Sequence, residues 1–160
     1  MEKKEKEFIK RINIDKADNR ANGTMLLIII SILTYVPPLI TGEFDFGIVF
    51  EIASLVFLVI AKKYMSTYDE DNAKRFIVFS MIAIGWILIY DIIFYLASMQ
   101  DIADLIIFSY DYWISEILSI VYFIGLYDVY WYLSKADNPE KYKESTDWFY
   151  ETYEGKDEEK

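Results

Sequence analysis

The sequence predicts an all-α integral membrane protein. The expected architecture is a bundle of four transmembrane helices in two antiparallel hairpins, with both termini in the cytoplasm and short cytoplasmic helices at both ends. Three observations predict it. First, the 160-residue chain is 54% hydrophobic and 18% aromatic, and its apolar residues are gathered into two long stretches, 21–60 and 76–134. Second, all 16 Lys and Arg residues lie outside those stretches, in 1–20, 61–75 and 135–160. Third, the same stretches do contain acids: Glu43, Asp45, Glu51, Asp91, Asp101, Asp104, Asp111, Glu116 and Asp128. Cations confined in this way mark a chain that crosses a membrane an even number of times and leaves its Lys and Arg inside the cell.

The basic cytoplasmic segment 1–20 comes first. Within 2–14, Phe8, Ile9 and Ile12 share a helical face ringed by Lys3, Lys4, Lys6, Lys10 and Arg11. That pattern fits a short interfacial helix drawn to anionic lipid, and equally a charged tail that only fixes topology.

A bilayer core about 30 Å thick needs roughly 20 apolar residues in helix. Within the transmembrane domain 21–133, four segments meet that need: 23–40, 46–64, 76–99 and 112–133. Pro37 and Pro38 end or kink the first. The five residues after it leave room only for a tight turn, so the first two helices form a hairpin. Residues 102–110 are expected to lie partly in the outer interface. A soluble bundle is excluded because segments apolar all round have no wet face. Tyr127, Tyr130, Trp131 and Tyr132 precede Lys135 as an inner aromatic belt, and Tyr95, Phe108, Tyr110, Tyr112 and Trp113 form an outer one. Trp86 falls near the midplane, about 16 Å past Arg75. It reads as a packing residue between helices, with ligand stacking as the sharper alternative.

After the last crossing, Asn138-Pro139-Glu140 supplies an N-cap, a proline in the first turn and an acid beside it. A cytoplasmic amphipathic helix within 134–155 should follow, stopped at Gly155. Its docking face would carry Tyr142, Trp148, Phe149 and Tyr153, set against Lys62, Lys63, Lys74 and Arg75 or against a partner. Residues 156–160 read as a disordered acidic tail. Asp-Asn pairs at 18–19, 71–72 and 137–138 are accounted for by helix capping.

Composition removes several function classes. With no cysteine and no histidine there is no thiolate nucleophile, no imidazole base and no soft metal site. A net charge of −10 argues against nucleic acid. Abundant Ile, Lys and Tyr with few Gly and Pro read as coding from an AT-rich, bacterial genome. No cofactor is implied. Asp91 and Asp128 stand on different helices but at opposite depths, which denies them the shared proton of a catalytic aspartate pair.

The intramembrane acids are where chemistry could reside, since each costs on the order of 3 kcal/mol at the centre of a crossing. Glu51 lies one turn into the second helix with Ser54 three residues on. Asp91 lies in the outer third of the third, on a stripe with Ser80. Asp111 and Glu116 open the fourth, where Asp111, Ser115, Ser119 and Tyr122 form a stripe. Asp91, Glu116, Glu51 and Asp111 are therefore the candidate cation- or proton-binding residues, of an inorganic or organic cation if oxygen ligands hold one. The plainer expectation is that each acid bonds a Ser or Tyr on a neighbouring helix and holds the bundle together. The chain as a whole reads as a plasma-membrane protein acting as a non-enzymatic accessory or interaction component. Its partners would be the lipid bilayer and another protein or a second copy of itself. A small cation- or proton-coupled transporter or channel subunit, built on an outward-facing acidic cavity, is the alternative.

Overall fold

A computed structural model describes residues 3–42, 45–98 and 110–141, and within these the side chains of Pro38, Asp91, Ile92, 94–98 and 110–115 are not described. Among the described residues every regular element is helical: α1 (Lys3–Thr34), α2 (Val36–Thr41), α3 (Gly47–Ser66), α4 (Glu70–Ser98) and α5 (Tyr110–Asp137). The four long helices form a ring in which α1 touches α3 and α5, and α4 touches α3 and α5. The most extensive pairings are α1 with α5 and α3 with α4.

Sequence spacing explains the ring. Each long helix buries residues at alternating intervals of three and four: Ala21, Thr24, Ile28 and Ser31 on α1, and Glu51, Ser54, Leu58, Ala61 and Met65 on α3. Ala73, Ile77, Ser80, Ile84 and Ile87 do so on α4, and Ser119, Tyr122, Leu126, Val129, Leu133 and Ala136 on α5. This is the seam of near-parallel, knobs-into-holes packing. The opposite faces are not polar, as they would be in a water-soluble bundle. They expose Leu26, Val49, Val56, Phe79, Ile82, Ile89, Ile117 and Ile124. Polar groups inside and apolar ones outside is the arrangement that lipid demands.

Three stretches are long and apolar enough to cross a membrane: Lys3–Thr41, Glu70–Tyr90 and Glu116–Asp137. The 20 residues of α3 also suffice in length, at about 30 Å. What sets α3 apart is charge, because Glu51, Lys62 and Lys63 all fall within it. The structure shelters two of these. Glu51 is fully buried, and Lys62 reaches back to donate to Asp18 Oδ1 and Asn22 Oδ1 of α1, each at 2.6 Å.

The basic segment departs from expectation. In place of a separate short helix at the N-terminal end, residues 3–20 are the first turns of α1, which runs unbroken into the apolar stretch. The reason is burial. α3, α4 and α5 all extend past the apolar region at this cationic end, and Ile9, Ile14, Ala17, Met65, Ala73 and Ala136 are buried there. Ile9 therefore packs inward, where the interfacial reading would have laid it on lipid. Asp18-Asn19 likewise lies inside α1 and caps nothing; Asp18 is the partner of Lys62.

Helix ends follow ordinary backbone rules. α1 stops at Thr34, and α2 begins one residue later with Pro37 in its first turn, where a missing N–H costs little. Gly42, at φ +85°, closes α2 with its N–H on Leu39 O. α3 ends with Asp69 N–H on Tyr64 O and Tyr68 N–H on Met65 O, a Schellman pattern in which Tyr68, at φ 57°, takes the place usual for glycine. Asp69 then caps α4, accepting from the Asn72 N–H at 3.1 Å and from Asn72 Nδ2 at 2.7 Å.

Close approach and aromatic filling divide the packing. A Cβ on Gly125 would stand 2.5 Å from Thr24 Oγ1, so α5 meets α1 at van der Waals distance only because position 125 has no side chain. Across α3 and α4, Phe57, Tyr64, Phe76 and Phe79 form a continuous group, with Tyr64 stacked on Phe76 at 5.5 Å. Ion pairs tie the cationic end: Lys62 with Asp18, Arg20 with Asp128, Lys74 with Asp137, Lys10 with Glu70 and Lys6 with Glu140. Exposed pairs of this kind contribute little, because water and salt screen them. After Asn138 the chain makes a turn, Lys141 N–H to Asn138 O. The expected docking helix with Tyr142, Trp148, Phe149 and Tyr153 lies outside the described residues, as do the 156–160 tail and the interfacial stretch through 109.

Candidate functional site

Five of the buried polar side chains, Ser31, Glu51, Ser54, Ser80 and Ser119, gather toward the acidic end of the bundle, while Asn13 and Thr24 bond back to their own helix. Gly47, Glu51 and Ser54 follow one another on the inner face of α3, and Glu51 is fully buried. Its Oε1 accepts from Ser31 Oγ of α1 at 2.7 Å and from Tyr122 Oη of α5 at 2.9 Å. Tyr122 and Ser119, one turn apart on α5, are bonded at 2.7 Å. A phenol has a single hydrogen and Tyr122 directs it at Glu51, so Ser119 donates to Tyr122. Further along α3, Ser80 of α4 donates to Ser54 O at 3.0 Å, which leaves Ser54 Oγ to donate to Ser80 Oγ at 2.6 Å. Three of the long helices thus meet in hydrogen bonds around one carboxyl group, and the fourth, α4, is bonded to α3 one turn on through Ser54 and Ser80.

Local structure explains why these side chains meet. Side chains on a helix lean toward its N-terminus. Because α5 runs from the acidic end toward the cationic end, that lean carries the Tyr122 hydroxyl toward the start of α3, where Glu51 stands. Gly47, four residues before Glu51, leaves a space on the same face that the Tyr35 hydroxyl occupies: a Cβ at 47 would lie 2.8 Å from it. Asp45, exposed at the head of α3, accepts the Gly47 N–H at 2.7 Å and would lie 3.1 Å from the same Cβ.

Glu51 Oε1 is doubly bonded in this network, whereas Glu51 Oε2 is enclosed and has no hydrogen-bond partner. An ionised carboxylate with one oxygen so placed carries a large desolvation cost, and a proton or a cation on Oε2 removes it.

The other candidates fare differently. Glu116 is on α5, half-buried, one turn before Ser119. Asp91 and Asp111 are on α4 and α5 by backbone position, and their side chains lie outside those described. Among the described residues, no three acids gather where they could hold a metal ion. Trp86 is 57% exposed on the outward face of α4, so it sits neither between helices nor over the polar layer. Its depth was legible from spacing, but its face is set by the neighbouring seam residues Ile84 and Ile87. Asp128 lies at the cationic end with Arg20 at 3.2 Å, far along the bundle from Asp91. A groove of about 400 Å³ between α4 and α5 is lined by apolar and tyrosyl side chains, including Val78, Ile82, Phe123 and Tyr127, and opens where Gly85 has no side chain.

Sequence reasoning missed Ser31, Tyr35 and Gly47. The first apolar segment, 23–40, has no acid to mark an inner face, so Ser31 does not stand out. The available signal was a lone hydroxyl inside the run Ile28-Ile29-Ile30-Ser31-Ile32-Leu33, the type of residue that joins helices in lipid. Comparison of the chain with protein-family models, with curated proteins and with solved structures finds no match.

Proposed function

We propose that this is a multi-pass protein of the plasma membrane with four crossings and both termini in the cytoplasm, acting as a non-enzymatic accessory or interaction component. One observation carries the reading: interhelical hydrogen bonds lie inside the bundle, Ser31 and Tyr122 to Glu51 across three helices and Ser54 with Ser80 to the fourth, and the outward faces are apolar. α3 serves as the fourth crossing because its acid is hydrogen-bonded inside the bundle and Lys62 is matched at the cationic end. The gathering of the described Lys and Arg at that end supports a cytoplasmic side for it.

The absence of native cysteine makes topology directly measurable. Single-cysteine variants Thr41→Cys and Ser66→Cys, treated on intact cells with an impermeant maleimide, should differ: Thr41→Cys labels at once and Ser66→Cys only after permeabilisation. Labelling of both from outside defeats the topology. The interaction role rests on partners that co-purify with the full chain and are lost on deletion of residues 139–160; an unchanged set defeats the docking idea.

A second reading, a small cation- or proton-coupled transporter or channel subunit, draws support from the enclosed Oε2 of Glu51. Glu116, one turn before Ser119 on α5, is the next acid on that helix. It requires proton or cation flux in liposomes containing the purified protein, and a flux equal to that of empty liposomes removes it.

A further inference from the structure

The hydroxyl hydrogens of the Glu51 network are committed. Ser31 and Tyr122 donate to Oε1, and Ser119 donates to Tyr122. A proton carried by the carboxyl therefore sits on Oε2, the oxygen that has no partner. Gly47 is one helical turn away on the same face of α3, and its missing side chain lets in the hydroxyl of Tyr35, itself only 9% exposed. Beside that hydroxyl stands Asp45, which is exposed. Asp45, Tyr35 and Glu51 thus descend in that order from the surface at the acidic end to the enclosed carboxyl.

We propose that Glu51 is an exchangeable proton site, loaded from the acidic end through Asp45 and the Tyr35 hydroxyl. The binding step is simple and balanced: a proton joins Oε2, the carboxylate becomes the neutral acid, and no other bond is made or broken. A metal ion suits the site less well. Ca²⁺ takes 6–8 oxygens and Mg²⁺ a full octahedron, whereas here a single carboxylate is surrounded by hydroxyls bonded to one another. Ser31 of α1 and Tyr122 of α5 are bonded to Glu51, with Ser119 behind Tyr122; the Tyr35 hydroxyl of α1 and Asp45 stand beside Gly47, one turn nearer the surface, and Ser80 of α4 bonds Ser54 on the same face of α3. Glu116 is one turn further along α5. None of these can supply a positive charge. The inference deepens the transport reading without requiring flux, since a proton site can equally bias the packing of an accessory protein.

Infrared difference spectra of the full chain in lipid nanodiscs, recorded as pH is stepped, test it. A protonated-carboxyl C=O band should appear at low pH, vanish at high pH and be missing from Glu51→Gln. After a pH jump, Tyr35→Phe should slow its appearance by about tenfold or more with amplitude unchanged, because the relaying hydroxyl is gone. A band that persists in Glu51→Gln, or one that stays constant wherever the protein is folded, overturns the proposal. Should Glu51→Gln fail to fold, Tyr122→Phe decides, since loss of a donor to the carboxyl must move the midpoint of the band and an unmoved midpoint rejects the assignment. A titrating band without flux leaves the proton site and removes transport; flux without the band does the reverse.

Discussion

The Tyr122 hydroxyl of α5 donates to Glu51 Oε1 of α3 at 2.9 Å, joining two helices that face each other across the ring and are not packed neighbours. Ser31 of α1, which packs on both, donates to the same oxygen at 2.7 Å. One acceptor thereby ties three helices. Tyr122→Phe should lower stability by about 1 kcal/mol, within the range measured for interhelical hydrogen bonds in membranes. Ser31→Ala should cost a similar amount. Because both act on one oxygen, the double variant should cost more than the two added together, as the last donor to a buried acceptor is removed. Unfolding in mixed detergent micelles measures all three, and strict additivity would show that the two hydroxyls act independently.

Gly125 meets Thr24 where α5 crosses α1 closely. The Thr24 hydroxyl turns back to Arg20 O at 3.0 Å, so it cannot swing away without losing that bond. Gly125→Ala places a methyl 2.5 Å from this oxygen and must push α1 and α5 apart. A loss of about 1–3 kcal/mol is expected for such overpacking. Thr24→Ala removes the obstructing atoms, so Gly125→Ala in that background should cost much less. Equal costs in both backgrounds would place the strain elsewhere.

The extent to which these features were legible in the sequence differs by level. The long apolar helices were visible because apolar runs and cation-free stretches are properties of whole segments. The seam on α3 was half visible: the sequence shows Glu51 with Ser54 three residues on, and the structure buries both. The partner on α1 was not visible, since Ser31 interrupts an otherwise uniform Ile and Leu run and nothing in that run marks one face as inner. The continuity of α1 was also hidden. Asp18, Asn19 and Gly23 read as a boundary, but Lys62, forty-four positions from Asp18, satisfies Asp18 and Asn22 together and lets the helix continue. Tertiary partners of that kind override local signals.

Tyr68 ends α3 in the left-handed region, where an L residue is strained by about 1–2 kcal/mol. Its hydroxyl reaches Asp15 Oδ1 at 3.4 Å and its ring lies 5.6 Å from the Arg11 guanidinium, contacts that hold the α3–α4 turn against α1. Two substitutions separate strain from contact. Tyr68→Ala keeps the strain and loses both contacts, so it should destabilise by about 1 kcal/mol. Tyr68→Gly loses the same contacts but relieves the strain and should fall within about 0.5 kcal/mol of the parent. If the two variants unfold alike, the left-handed conformation carries no cost here.

Asp69, at the start of α4, gives a pH-dependent test at the same turn. The side-chain hydrogen bond from Asn72 and then its backbone N–H hold the Asp69 carboxyl below the usual aspartate range. A group whose folded pKa is depressed stabilises fully above its unfolded value, and that contribution is lost as pH falls through the depressed one. Asp69→Ala removes the N-cap and should cost about 1 kcal/mol near neutral pH. Asp69→Asn retains an oxygen for the Asn72 N–H and should cost less. Both variants should approach the parent as pH is lowered through the acid range, because the parent then loses the charged cap as well. Thermal unfolding as a function of pH, compared between parent and the two variants, makes this visible as converging curves. Curves that stay parallel down to the lowest pH would mean that the charge on Asp69 contributes nothing and the cap acts by geometry alone.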